Sequence, residues 1–172
     1  MTRNISLPDG CRLRQLSECD LSGVQRLCGQ CDDYFLLHEG TAAPSTAAAD
    51  IFSALPPGKT RRDKFVFGIE KADGALIGIV DLVRDFPEKG IWMLGLLLLA
   101  PENRGNGTGK AVHTALTQWS KALGAKSLRI GVIAENKESA HFWNSLGYRK
   151  QKETVLELGA QTHTTNILTL RV

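Results

Sequence analysis

The spacing of apolar residues predicts strands and helices that alternate along the whole chain. Strands are expected at residues 11–16, 64–70 and 76–83, and Asp73-Gly74 between the last two is a typical hairpin turn. Residues 91–99 are apolar at almost every position. This pattern is typical of a strand buried on both faces at the centre of a sheet.

Helices separate these strands. A first helix is expected to begin near Asp20, a favourable N-cap, and a short second helix carries Ile51. A long amphipathic helix ends at Gly124, and another begins at Asn136, again a favourable N-cap. Three further strands are expected at residues 127–133, 148–158 and 164–172. The order β-α-α-β-β-β-α-β-α-β-β predicts an α+β fold with a mixed sheet of about seven strands.

Length and composition set limits on the class of protein. The 172 residues fit a single domain spanning residues 1–172, and 42% hydrophobic with 23% charged residues excludes disordered, collagen-like and coiled-coil chains. The net charge is +3 and no basic run exceeds a pair, which argues against nucleic-acid binding. The uncharged run at residues 91–100 is half the ~20 residues that a membrane span needs. The first residues lack the apolar core of a signal peptide, so we expect a cytoplasmic protein without a membrane partner.

The four cysteines all fall within the first 31 residues, at Cys11, Cys19, Cys28 and Cys31. Cys28 and Cys31 have the spacing of half a zinc site, but no histidine pair follows at zinc-finger spacing. Residues three apart share one face of a helix, so we expect both to be small buried hydrophobic residues. The sequence therefore predicts no metal site.

A glycine-rich turn, Arg-Gly-Asn-Gly-Thr-Gly-Lys at residues 104–110, joins the central strand to the long helix. Such a turn leaves several backbone N–H groups unpaired at a helix N-terminus, where the helix dipole favours a phosphate. The turn lacks the P-loop pattern, because Arg104 and Ala111 stand where Gly and Ser or Thr are required. It also lacks the third glycine of a dinucleotide fold, since Lys110 occupies that position. The alternative is a plain tight turn whose glycines serve geometry alone.

Two motifs resemble those of the GNAT superfamily of acyl-CoA-dependent N-acetyltransferases. The pyrophosphate motif of that superfamily, Q/R-x-x-G-x-G/A, is matched by Arg104, Gly107 and Gly109. Residues 136–148 resemble its second element, in which an Asn is followed by small residues, aromatic residues and Leu-Gly-aromatic. The two motifs are separated by a helix and a strand, as in the superfamily, and together they cover about a third of the chain.

The resemblance implies a fold and a cosubstrate. The fold is a mixed, mostly antiparallel central sheet with flanking helices, in which the fourth and fifth strands of the superfamily splay apart at a bulge, here near Gly95. Acetyl-CoA is the implied acetyl donor, with its pantetheine arm in the gap and its pyrophosphate on the turn. The implied cofactor-binding residues are Leu97, Leu98, Leu99, Arg104, Gly105, Asn106, Gly107, Thr108, Gly109, Lys110, Asn136, Ser139, Phe142 and Trp143. Asn136 also fits a plain helix cap, and Trp143 a plain core residue.

The implied reaction is transfer of an acetyl group from acetyl-CoA to a primary amine by direct attack in a ternary complex. Backbone N–H groups near Leu97 and Leu98 would stabilise the oxyanion. The chain departs from many relatives in having Leu96 at the usual place of a basic carboxylate and Trp143 at that of an acidic tyrosine. Asp81, a carboxylate in an apolar strand, is the candidate catalytic base, although it also fits a solvent-facing strand residue. Glu135, His141 and a chain of water molecules are the other candidates for accepting the amine proton. The alternative function is an acyl-CoA-binding regulatory module without efficient turnover.

The resemblance places the acceptor pocket between the first helices, the central strands and the last hairpin. The implied substrate-binding residues are Asp33, Tyr34, Phe35, Asp81 and Trp92. Acidic residues beside aromatic ones suit a cationic amine, either a small molecule or a peptide. Relatives often dimerise through their C-terminal strands, which makes a homodimer a candidate assembly.

Overall fold

The computed structural model describes residues 4–172, which form one eight-stranded sheet in the order β1-β2-β3-β4-β5-β6-β8-β7. Neighbouring strands are antiparallel, except that β5 and β6 are parallel. The additional strand relative to the predicted seven is β1, whose three residues are too few to show a periodicity. The strands are β1 Asn4–Ser6, β2 Arg12–Gln15, β3 Lys64–Glu70, β4 Leu76–Val83, β5 Ile91–Leu99, β6 Ser127–Ile133, β7 Arg149–Leu158 and β8 Gln161–Arg171.

Helices cover both faces of the sheet. The helices are α1 Leu21–Gln30, α2 Asp32–Glu39, α3 Ala47–Ser53, α4 Thr108–Ala122 and α5 Lys137–Ser145. The first three pack on one face through a core that includes Val24, Phe35 and Ile79. The last two pack on the other face through a core that includes Val112 and Trp143. The packing of helices on both faces of the sheet confirms the predicted α+β architecture.

The helix ends follow local chemistry, with one exception to the prediction. Asn136 caps α5 as expected, because its Oδ1 accepts a hydrogen bond from the Ser139 N–H at 3.0 Å. Asp20 precedes α1 but does not cap it. Its carboxylate instead accepts a hydrogen bond from the Ser17 N–H at 2.8 Å and pairs with Arg14 at 2.7 Å. The predicted start of α1 is therefore confirmed, but the predicted side-chain cap by Asp20 is wrong.

A β-bulge at Gly95 reverses which side chains of β5 point to each face of the sheet. Asp81 of β4 lies opposite Leu96, whereas the next residue, Leu82, lies opposite Leu94, so Gly95 is the extra residue. Before the bulge, the even-numbered Leu94 belongs to the core under α4 and α5. After it, the even-numbered Leu96 packs with the core under α1, α2 and α3.

The strands β5 and β6 separate soon after they begin. They pair over Ile91–Met93 and Ser127–Arg129, and no pairing joins them beyond these residues in the described structure. From there, β5 continues against β4 while β6 continues against β8. The predicted splay between the two central strands is thus confirmed, and it leaves a wedge-shaped gap in the middle of the sheet.

Candidate active site

A cleft of about 630 Å³ occupies the gap between β5 and β6. One wall is the outer face of α2, the floor is the second half of β5, and the opposite wall is α5 with the glycine-rich turn. The predicted residues that line it are Asp33, Tyr34, Leu97, Leu98, Leu99, Arg104, Gly105, Gly107, Gly109, Lys110, Asn136, Ser139, Phe142 and Trp143. The structure therefore brings most of the predicted site to one place.

The glycine-rich turn presents free donors to this cleft. Gly105 and Gly107 have φ values of +74° and +88°, which favour glycine. The first helical hydrogen bond runs from the Ala111 N–H to the Gly107 carbonyl. Within residues 4–172, the N–H groups of Gly105, Gly107, Gly109 and Lys110 donate to no protein acceptor. This arrangement, at the N-terminus of a helix of 15 residues, suits an anion.

Asn106 and Thr108 belong to the same turn but line a neighbouring cleft of about 700 Å³. The Asn106 Oδ1 accepts hydrogen bonds from the Thr108 N–H at 3.1 Å and from its hydroxyl at 2.7 Å. These hydrogen bonds stabilise the conformation of the turn from its side facing the neighbouring cleft. The two side chains do not line the main cleft, and the resemblance implies their part in cofactor binding only as members of the turn.

Arg104 ties the turn to β5 and to α2. Its Nε donates to the Leu99 carbonyl at 2.8 Å, and its terminal nitrogens hold the two carboxylate oxygens of Asp33 at 2.5 and 3.3 Å. The hydrogen bond from Arg104 lowers the pKa of Asp33, so this carboxylate is ionised at neutral pH. Both members of this ion pair line the cleft.

The backbone of β5 alternates between β4 and the gap. A Cβ atom at Gly78 of β4 would lie 2.7 Å from the Leu98 carbonyl oxygen, and the Ala100 N–H donates to Ile77 of β4 at 2.9 Å. Leu98 and Ala100 therefore turn their polar groups towards β4, and Leu97 and Leu99 turn theirs towards the gap. Of the two predicted oxyanion donors, the Leu97 N–H points into the gap, whereas the Leu98 N–H points towards β4.

The wall formed by α5 is aromatic. The Trp143 Nε1 donates to the Ser139 hydroxyl at 3.0 Å, and the indole is 8% exposed. It packs edge-on against Phe142 and against a buried pair in which the His113 ring lies 3.0 Å from the Tyr148 hydroxyl. Trp143 is thus both a wall of the cleft and a core residue, so the two alternatives from the sequence are compatible.

The wall formed by α2 contains a histidine that the sequence analysis did not consider. The His38 ring stacks on Tyr34 with centroids 4.0 Å apart, and its Nδ1 lies 2.8 Å from the Tyr34 carbonyl oxygen. His163 of β8 donates from Nε2 to the His38 carbonyl at 2.9 Å. Burial lowers the pKa of His38, the nearby His163 lowers it further, and the hydrogen bond to Tyr34 opposes them. His38 is therefore neutral at physiological pH.

Asp81 is not a residue of the cleft, which corrects the expectation that it contacts the acceptor. Its Oδ2 accepts a hydrogen bond at 2.8 Å from Lys64, whose ammonium also donates to the Ala54 carbonyl at 2.8 Å. Burial raises the pKa of Asp81, and the Lys64 charge opposes that shift. The carboxylate lies behind the bulge, 3.2 Å from where a Cβ atom of Gly95 would be.

Phe35 and Trp92 are also core residues rather than acceptor-pocket residues. Phe35 is on the inner face of α2 and is 4% exposed. Trp92 is 1% exposed, stacks on Phe65 and packs edge-on against Trp119 of α4. It precedes the bulge and so faces the layer opposite to the acceptor side.

Cys28 and Cys31 are buried free thiols, as predicted, and burial raises the pKa of each. Among residues 4–172, no group of three or more His, Cys, Asp or Glu side chains is arranged to hold a metal ion. The helices described here include none with the length and apolar character to cross a membrane.

Comparisons with known proteins agree with this geometry. The model of the acetyltransferase (GNAT) family matches residues 33–148. A region of 98 residues, 57% of this chain, is 30% identical to the uncharacterized N-acetyltransferase YobR of Bacillus subtilis, but it covers 36% of that protein. The chain thus spans about a third of the length of this relative.

Solved structures of low sequence identity share the fold. A GCN5-related N-acetyltransferase from Brucella melitensis is 15% identical with a TM-score of 0.77, over 98% of this chain and 78% of its own. Spermidine N-acetyltransferase from Vibrio cholerae, in complex with CoA and spermine, is 17% identical with a TM-score of 0.72, over 94% and 95% of the two chains. With its splayed strands, its glycine-rich turn and the match over residues 33–148, the chain belongs to the acetyltransferase (GNAT) family of acyltransferases.

Proposed function

We propose that this protein transfers an acetyl group from acetyl-CoA to a primary amine that is bound in the same cleft. The observation that carries the proposal is the path from the free N–H groups of the turn to the backbone of β5 at Leu97, which faces the gap without a strand partner. A phosphorylated, amide-containing chain matches both ends of that path. The Vibrio cholerae neighbour, whose fold this chain shares, was solved with CoA bound.

The residues present fit the parts of acetyl-CoA. The N–H groups of Gly105, Gly107, Gly109 and Lys110 would hold the pyrophosphate at the positive end of α4. The Leu97 carbonyl would accept a hydrogen bond from a pantetheine amide, as in addition of a strand to a sheet edge. Phe142 and Trp143 would cover the thioester end from α5.

The protein groups act on the charge that develops during transfer. Bound acetyl-CoA supplies a thioester carbonyl, which the amine attacks as the carbon–sulfur bond breaks. The Leu97 N–H, fixed in the strand, would stabilise the negative charge on the carbonyl oxygen. A thiol of pKa ~8.5 leaves as a thiolate without an acid, so the indole of Trp143 at the usual tyrosine position is tolerated.

The acceptor wall favours an amine with an apolar or aromatic body. Both carboxylates that suggested a cationic amine are paired within the protein, Asp33 with Arg104 and Asp81 with Lys64. The acceptor-side surface of the cleft is then formed by Tyr34, Leu37 and His38. Such a surface binds a hydrophobic group and leaves the additional charges of a polyamine unpaired.

The alternative function is an acyl-CoA-binding module that does not turn over efficiently. Leu96 and Trp143 at the positions of the usual base and acid favour this second candidate. Positioning and a backbone oxyanion donor nevertheless account for large rate accelerations without either side chain. We therefore favour the enzyme.

The experiment is to measure CoA thiol release from acetyl-CoA with 2-phenylethylamine, spermidine and a short peptide with a free N-terminus. We expect release that depends on the amine, an acetylated product by mass spectrometry, and a larger kcat/KM for 2-phenylethylamine than for spermidine. Tight binding of acetyl-CoA without transfer to any of the three amines would favour the binding module. A preference for spermidine would contradict the apolar acceptor.

A further inference from the structure

The proposed transfer requires a group that accepts a proton from the amine nitrogen. The usual position carries Leu96, and Asp81 is paired with Lys64 behind the bulge. Glu138 and His141 line the cleft, but they are exposed residues of α5, on the layer of the sheet that would cover the thioester. The acceptor layer, on the side of α2, must supply the base if a side chain does so.

His38 of α2 has the geometry of a base. Because its Nδ1 lies 2.8 Å from a carbonyl oxygen, which accepts and cannot donate, Nδ1 carries the proton. The lone pair of the neutral ring is then on Nε2, which makes no hydrogen bond within residues 4–172. The stack on Tyr34 fixes the plane of the ring. His38 therefore presents one acceptor nitrogen from a wall of the cleft.

The groups around His38 keep it neutral. On its own helix, Tyr34 precedes it by one turn and Glu39 follows it directly. From β8, His163 has its ring centroid 6.5 Å away and holds the His38 carbonyl. Behind His163, the Glu135 carboxylate lies 3.7 Å from the His163 Nδ1. An unprotonated imidazole is the form that a general base requires at neutral pH.

We propose that His38 is the general base of the acetyl transfer, taking one proton from the acceptor nitrogen onto Nε2. This inference rests on the proposed function. As the new nitrogen–carbon bond forms and the carbon–sulfur bond breaks, the amine proton goes to Nε2 and the electron pair of the broken bond goes to the CoA sulfur. His38 returns its proton to solvent after release of the product, which balances the cycle.

The test uses His38→Gln and His38→Asn, with Leu36→Gln as the matched control. Leu36 is on the same helix, 53% exposed, and is not part of the cleft wall. With 2-phenylethylamine as acceptor, we expect kcat to fall at least ~100-fold in both His38 variants. Acetyl-CoA affinity by calorimetry and melting temperature should match those of the wild type, and Leu36→Gln should keep its activity. In a third variant, His38→Ala, added imidazole should raise the rate at least tenfold, because a free base can enter the space left by the ring.

Two results would overturn the inference. A loss of less than threefold in the folded variants would show that solvent accepts the proton. A large loss in kcat without any rescue by imidazole would give His38 a positioning role instead. Failure of the proposed function has a different signature, since the wild-type protein would then release no CoA with any of the three amines, and the inference would fall with it.

Discussion

At the scale of single residues, the pair of Lys64 and Asp81 shows how burial decides the role of a charged side chain. Both lie in apolar strands, and their side chains are 4% and 13% exposed. Desolvation outweighs the attraction of Lys64 in setting the pKa of Asp81, which rises. The intact pair therefore adds little to the stability of the fold. Removal of either partner is costly, because the other charge is then buried without a partner.

We predict that Lys64→Met and Asp81→Leu each reduce the free energy of unfolding by about 3–5 kcal/mol, because each leaves a buried charge unpaired. The double variant should lie within about 1 kcal/mol of the wild type, since neither charge remains. Urea denaturation of the four proteins measures this coupling. Additive losses would contradict it. A double variant that is stable but has lost ~100-fold in kcat/KM would restore Asp81 as a catalytic residue.

At the scale of elements, β5 shows what the sequence could and could not predict. The resemblance implied a bulge, and the glycine within an apolar strand indicated its place at Gly95. The turn after the strand indicated the phosphate site that we propose, because free N–H groups at the start of a helix depend on local chemistry. The face of the sheet on which Trp92 lies could not be predicted, because the extra residue Gly95 places Trp92 and Leu96 on opposite faces. The buried partner of Asp81 was also hidden, because Lys64 is 17 residues away and meets it only through strand pairing.

Helix α2 was missed because Phe35, Leu36 and Leu37 are contiguous and give no helical period. Two signals were nevertheless present. Asp32 and Asp33 form an acidic first turn, and Gly40 ends the helix with a φ of +79°. Had these been read as helix ends, the spacing of four residues would have placed His38 beside Tyr34 on one face.

The link between α2 and the turn gives a second prediction. Asp33→Asn frees the Arg104 guanidinium beside the donors proposed for the pyrophosphate, so acetyl-CoA affinity should rise about 2–5-fold at low salt. The gain should shrink at high salt, and stability should change by less than about 1 kcal/mol, because the pair is partly exposed. Glu18→Gln is the control, since it breaks the exposed pair with Arg61. Weaker binding in Asp33→Asn would show instead that Asp33 holds Arg104 in its binding position.

At the scale of the whole molecule, the core under α4 and α5 contains a titratable group. His113 is 4% exposed, and burial lowers its pKa to about 4. The unfolded chain binds a proton near pH 6.5, so between pH 6.5 and pH 4 it binds more protons than the folded protein does. The stability linked to His113 is therefore complete above pH 6.5 and is lost as the pH falls towards 4.

We predict that His113 alone accounts for about 2 kcal/mol of the loss in unfolding free energy between pH 7.5 and pH 5. His113→Gln keeps a polar group near the Tyr148 hydroxyl but does not titrate, so the difference between the two pH values should shrink by that amount. Urea denaturation of the wild type and the variant at both pH values provides the comparison. If the unfolding free energy of the two proteins depended equally on pH, groups other than His113 would cause the loss of stability in acid.

The most direct measurement of the central claim is calorimetric titration of acetyl-CoA into the wild type, Gly107→Val and Gly58→Val. Both glycines have positive φ, +88° and +77°, and neither has an atom within 4 Å of the position of an added Cβ. The two variants therefore carry similar backbone strain, but Gly107 faces the cleft and Gly58 lies outside the residues that line it. Gly107→Val should weaken binding at least ~100-fold by removing two charged hydrogen bonds of ~1.5–3 kcal/mol each. Gly58→Val should bind as the wild type does, and equal affinities in the two folded variants would contradict the assignment of the glycine-rich turn to acetyl-CoA.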